Sequence, residues 1–143
     1  MIFERKKYLD ELIAGRGNGL VKIITGVRRC GKSFLLFDIW HNWLLEHGVT
    51  DSHIIEIQLD DFRNRRLRKP DALLDYIDSK VMDDGNPYYI VLDEVQLVEE
   101  FVEVILSLTH MRNVDVYVSG SNSRFLSSDV VTEFRGRGDE IRI

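Results

Sequence analysis

Gly26-Val27-Arg28-Arg29-Cys30-Gly31-Lys32-Ser33 spells G-x-x-x-x-G-K-[ST], between the β-branched run Val21-Lys22-Ile23-Ile24-Thr25 and an apolar helical stretch. Residues of these types at this spacing hold phosphate. Gly26 and Gly31, lacking a Cβ, let successive backbone N–H groups curl around a β-phosphate. The phosphate then rests on the N-terminus of the next helix, where unpaired N–H groups and the helix dipole favour negative charge. Lys32 brings a mobile positive charge to the β- and γ-oxygens, and the Ser33 hydroxyl is placed to ligate Mg²⁺. The cradle so read runs from Gly26 to Phe34 and includes Val27, Arg28, Arg29 and Cys30. Arg28 and Arg29 fill free positions of the pattern and read as facing solvent or a partner. Cys30 reads as a small filler, the alternative being a thiol activated by the helix terminus and Lys32.

A second constellation lies downstream. Tyr88-Tyr89-Ile90-Val91-Leu92 is a continuous apolar run ending in Asp93-Glu94. An acidic pair at the carboxyl end of such a strand, after a phosphate loop, is the Walker B arrangement, and it faces the crevice where open α/β sheets bind ligands. Asp93 is then expected to hold Mg²⁺ and Glu94 to polarise an attacking water. The next strand ends in Ser119-Gly120-Ser121-Asn122-Ser123, which makes Ser121 and Asn122 candidates to sense a γ-phosphate or the water, or else ordinary helix caps. Arg135 and Arg137 are candidates for an arginine finger, with a plain surface loop as the alternative. Arg63-Asn64-Arg65-Arg66-Leu67-Arg68-Lys69 is a basic cluster in an acidic chain. It reads as a solvated loop, with nucleic acid or an acidic partner as the alternative, and no aromatic residue lies within it to stack bases.

The elements that must position these residues alternate. A strand at 21–25 precedes a helix over 32–46 that stops near Gly48, a partly alternating strand over 53–59 and a helix from Asp71 to about Met82. The turn cluster Asp83-Asp84-Gly85-Asn86-Pro87 feeds the strand before Asp93. Val98, Phe101, Val102, Ile105 and Leu108 form a crossover helix before the strand Val114-Asp115-Val116-Tyr117-Val118. Repeated βαβ units predict a three-layer α/β domain with a mainly parallel sheet. The tail Glu140-Ile141-Arg142-Ile143 reads as a strand without a terminal stop, so an N-terminal domain of a longer protein is expected.

Composition bounds the rest. The chain has 143 residues, 44% hydrophobic and 30% charged, enough for one domain with a substantial core. A net charge of −5 argues against a protein whose main work is coating nucleic acid. Cys30 is the only cysteine, so an internal disulfide is excluded and a reducing cytoplasm fits. His41, His47, His53 and His110 lack metal-ligand spacing, and no apolar run is long enough for a membrane span.

In combination, the strings Lys22 to Ser33, Val91 to Gln96, Val118 to Ser123 and Gly136-Arg137 resemble a family of prokaryotic AAA-like ATPases over essentially the whole chain. The resemblance implies a P-loop NTPase fold with strand order 5-1-4-3-2, ATP as nucleotide, Mg²⁺, and a C-terminal partner domain in the same protein. It gives Lys32 and Ser33 the phosphate-loop roles and Asp93 and Glu94 the Walker B roles. Ser121 or Asn122 takes the sensor position, Arg137 the glycine-arginine position after it, and Arg5 a place near the adenine. The expected activity is hydrolysis of ATP to ADP and phosphate that drives or gates a partner domain. A nucleotide-dependent switch or scaffold with negligible hydrolysis, and a small-molecule kinase, stand as alternatives. A homo-oligomer is left open by the sequence.

Overall fold

An unbroken apolar run such as Tyr88 to Leu92 needs cover on both faces, which a parallel sheet flanked by helices provides, and this run lies inside the sheet. The computed structural model describes residues 2–26, 31–121 and 138–142. Its strands are β1 (Val21–Thr25), β2 (Ile54–Gln58), β3 (Tyr88–Asp93), β4 (Val114–Gly120) and β5 (Gly138–Arg142). They lie in the order β2-β3-β4-β1-β5, every neighbouring pair parallel. Read from the other edge this is the expected 5-1-4-3-2. β2, the strand with the weaker apolar pattern, occupies an edge, as its alternation predicts.

Side chains alternate across each strand and so divide the core in two. Ile23, Ile57, Ile90, Leu92, Val116 and Val118 face one side, where α4 (Pro70–Lys80) and α5 (Phe101–Leu108) cover them through Leu73, Ile77, Val104 and Ile105. Ile24, Ile54, Tyr89, Val91 and Tyr117 face the other, against Leu12 of α1 (Ile2–Gly15) and the helix that follows the phosphate loop. That helix begins as α2 (Lys32–Phe34), widens into a π-helical stretch at Leu35–Trp40 and closes as α3 (His41–Glu46). Its buried residues Leu36, Trp40 and Leu44 step by four, whereas an ordinary helix turns every ~3.6 residues. Widening keeps these large groups nearer one line facing the sheet. Gly48, at φ +92°, follows the helix end as expected.

The charged N-terminal segment is α1, which buries Leu12 against the sheet. One reading of the chain is corrected. The basic cluster is no open loop: residues Phe62–Arg68 form a 3-10 helix capped by Asp61, whose carboxylate accepts from the Arg63 N–H at 3.0 Å, and Leu67 is buried beneath it. Among the described residues no helix is long and apolar enough to cross a membrane.

Candidate functional site

The site gathers at the carboxyl ends of β1, β3 and β4. β1 delivers the chain to Gly26, and Gly31 opens α2 with φ +98°, a left-handed backbone that favours glycine. Lys32 follows at once and is buried, its Nζ donating to the Gly26 carbonyl at 2.9 Å. The ammonium is therefore folded back toward the carboxyl end of β1.

Ser33 lies one residue further along and points to β3, where its Oγ donates to Asp93 Oδ2 at 2.6 Å. Asp93 is 3% exposed and closes the strand. Its other oxygen, Oδ1, accepts from the Ser119 hydroxyl of β4. Ser119 in turn accepts the Glu94 N–H at 3.2 Å, so one hydroxyl fastens both acidic residues. Oxygen donors from a hydroxyl and a carboxylate suit a hard cation such as Mg²⁺. Among the described residues no three His, Cys, Asp or Glu side chains converge to cage a metal.

Glu94 leaves the strand in a left-handed conformation, φ 56° and ψ 49°, which is strained for a residue with a side chain. It is 7% exposed. The Ser121 hydroxyl donates to its carboxylate at 2.8 Å from either oxygen, and Gln96 Nε2 donates to Oε2 at 2.6 Å. The strain thus turns the carboxylate out of the strand direction and into a frame of donors.

Gly26, Gly31, Lys32, Ser33, Asp93, Glu94 and Ser121 are brought to one end of the sheet, and Phe34 is exposed on the first turn of the helix. Val27, Arg28, Arg29, Cys30, Asn122, Arg135 and Arg137 lie outside the described residues, as does the side chain of Arg5. Sequence reasoning missed Ser119 and Gln96. A lone polar residue closing an apolar strand was the available signal for Ser119; Gln96 carried none beyond standing two residues after Glu94.

The opposite end of the sheet holds a different polar cluster. Lys22 is 0% exposed, and its Nζ donates to Asp115 Oδ1 at 2.6 Å, Leu20 O at 2.9 Å and Asn18 Oδ1 at 3.0 Å. Asp115 Oδ2 accepts from the Tyr117 hydroxyl at 2.6 Å and the Gly17 N–H at 2.9 Å. Burial, reinforced by the Asp115 charge, pushes the Tyr117 hydroxyl far above its ordinary pKa. Every partner here is internal, so the cluster ties β1 to β4 and to the turn before β1.

Residues 18–143 match a family model described as an AAA domain. An uncharacterized protein of Haemophilus influenzae is 30% identical over 142 residues, covering 99% of this chain and 35% of that protein. An uncharacterized protein of Methanocaldococcus jannaschii is 28% identical over 121 residues, covering 82% of this chain and 24% of that protein. The chain therefore spans only 35% and 24% of the lengths of these relatives. Among solved structures, Cdc6p from Pyrobaculum aerophilum superposes with a TM-score of 0.64 at 14% identity, over 95% of this chain and 44% of that one. A chain of Drosophila ORC bound to DNA gives 0.61 at 12% identity, over 97% and 89%. At such identities the likeness is one of fold.

Proposed function

Because the chain belongs to a family of AAA domains, P-loop NTPase domains by fold, we propose that it binds ATP with Mg²⁺ and hydrolyses it to ADP and phosphate. The observation that carries this reading is the meeting of Ser33 and Asp93 at 2.6 Å, beside a buried lysine that donates to the Gly26 carbonyl. Lys32 and the loop N–H groups hold the β- and γ-phosphates, and Ser33 and Asp93 hold Mg²⁺. The ion, when bound, neutralises charge building up between those phosphates. Glu94 takes a proton from water as its oxygen bonds to the γ-phosphorus and the bond to the β,γ-bridging oxygen breaks. Asn122 or Ser121 orients that water or the γ-phosphate, and Arg137 or Arg135 steadies the transferring group.

The remaining length of the relatives supports a partner region within the same protein, moved or gated by the cycle. Glu94→Gln tests the chemistry. ATP binding should persist while turnover of the intact protein falls by about 10²- to 10⁴-fold, the range for losing a general base. Turnover at the normal rate would remove Glu94 from that role. One observation favours a second reading, a nucleotide-dependent switch with negligible hydrolysis: Ser121 and Gln96 already occupy the Glu94 carboxylate. A single-turnover measurement separates the two, since a switch retains ATP where an ATPase releases phosphate.

A further inference from the structure

The basic segment after β2 takes no part in the nucleotide site, and the structure gives it a partner in Phe62. That ring is 69% exposed, the most open of the large apolar side chains described. A single exposed ring needs no explanation, but its setting does. The Arg65 guanidinium lies 4.2 Å from the ring centroid, and its Nη1 donates to the Phe62 carbonyl at 3.1 Å. One face of the ring is thereby backed by a cation and held in place. Arg63, its side chain 90% exposed, reaches the Asp61 carboxylate through two long surface hydrogen bonds, Nε to Oδ1 at 3.3 Å and Nη2 to Oδ2 at 3.4 Å, an exposed pairing worth little in water. Arg66 is exposed beside it. The 3-10 turn is fixed from below by buried Leu67, by Asn64 Nδ2 donating to Gln58 O at 2.9 Å and by Arg68 Nε donating to Leu59 O at 2.9 Å. The platform is thus built on a rigid base and not on a loose loop.

We propose that Phe62 with Arg63, Arg65 and Arg66 forms a binding site for single-stranded nucleic acid, an unpaired base stacking on the ring and the arginines taking backbone phosphates. Planar guanidinium forks match phosphate oxygens, and these three positions are all arginine. An aromatic face beside basic groups is the arrangement that holds single strands without reading sequence. Duplex DNA offers no open base face to Phe62, and an acidic peptide would use the arginines but leave the ring idle. The turn hangs from the carboxyl end of β2, where the Leu59 N–H donates to the Asp93 carbonyl at 3.1 Å, so a bound strand would lie at the same end of the sheet as Lys32 and Ser33. The inference does not rest on ATP hydrolysis.

The test is fluorescence anisotropy of a labelled oligothymidylate of about 20 nucleotides, long enough for one such site, titrated without ATP against the intact protein. Wild type should bind at about 50 mM salt and lose affinity steeply by about 200 mM. Phe62→Ala should weaken binding by about 5- to 100-fold, the span for losing one stacked base, while Phe62→Tyr restores it. Arg66→Ala should lower the slope of log affinity against log salt by about 0.7, the share of one phosphate contact on a single strand. Because these side chains are exposed, the thermal midpoint of each variant should stay at the wild-type value. Absence of binding at the lower salt, or binding indifferent to Phe62→Ala, overturns the proposal. Displacement by polyglutamate as effective as by unlabelled single strand would instead assign the face to acidic peptides, and equal displacement by duplex would assign it to backbone phosphate alone.

Discussion

Ser119 is the smallest group on which both acidic residues depend. Its hydroxyl donates to Asp93 and accepts from the Glu94 N–H, inside a site that excludes water. Ser119→Ala should therefore cost about 1–3 kcal/mol, because it leaves buried polar groups unpaired, and it should also weaken MgATP binding by freeing Asp93. Denaturant unfolding reads the first effect and nucleotide titration the second; a stability equal to wild type would mean that Ser119 does not hold the pair. The gathering of Lys32, Ser33, Asp93 and Glu94 was legible beforehand, because a phosphate-loop pattern has a fixed local spacing and an acidic pair closing an apolar strand marks the carboxyl end of the same sheet. Ser119 was not, because its role comes from β3 and β4 meeting in space, and Gln96 was not, because its bond to Glu94 depends on the left-handed turn that Glu94 makes.

Among the elements, the strands were legible for the reason that places them centrally: a run such as Tyr89-Ile90-Val91-Leu92 has no polar side to expose, so it needs cover on both faces. The helix after the loop was legible in extent but not in its π-helical middle, which answers to the packing of Trp40 and not to any local preference. Trp40 stacks on Trp43 with ring centroids 5.2 Å apart and lies equally close to Tyr117. Trp40→Ala should thus destabilise the domain by about 3–5 kcal/mol, and the matching change at exposed Phe34 by far less. Equal losses in chemical unfolding would show that the widened stretch is not what fastens this helix to the sheet. The 3-10 turn at Phe62–Arg68 escaped the sequence because its charges outnumber its one anchor, Leu67.

At the scale of the molecule, the sheet carries the proposed nucleotide site at one end and a structural cluster at the other. The carboxyl end gathers Lys32, Ser33, Asp93 and Glu94, while the other is closed by Lys22, Asp115 and Tyr117. Tyr117 makes the closed end visible in the pH dependence of stability. Its hydroxyl is held neutral in the folded protein, first by burial and then by the Asp115 charge, so the folded pKa lies above the unfolded one. Below about pH 10 both states keep the proton; above it only the unfolded state releases it, and stability should fall by about 1.4 kcal/mol per pH unit. Tyr117→Phe should flatten that alkaline decline in thermal unfolding, and an unchanged decline would place the titrating group elsewhere.

The carboxyl end is where nucleotide should bind. Calorimetry of MgATP added to the intact protein and to Lys32→Ala tests it most directly, with unfolding of both proteins in the absence of nucleotide as the control for folding. The wild type should give saturable heat with one nucleotide per chain, and the folded variant none. Wild-type protein that gives no heat, or a Lys32→Ala variant that binds as tightly, would contradict it.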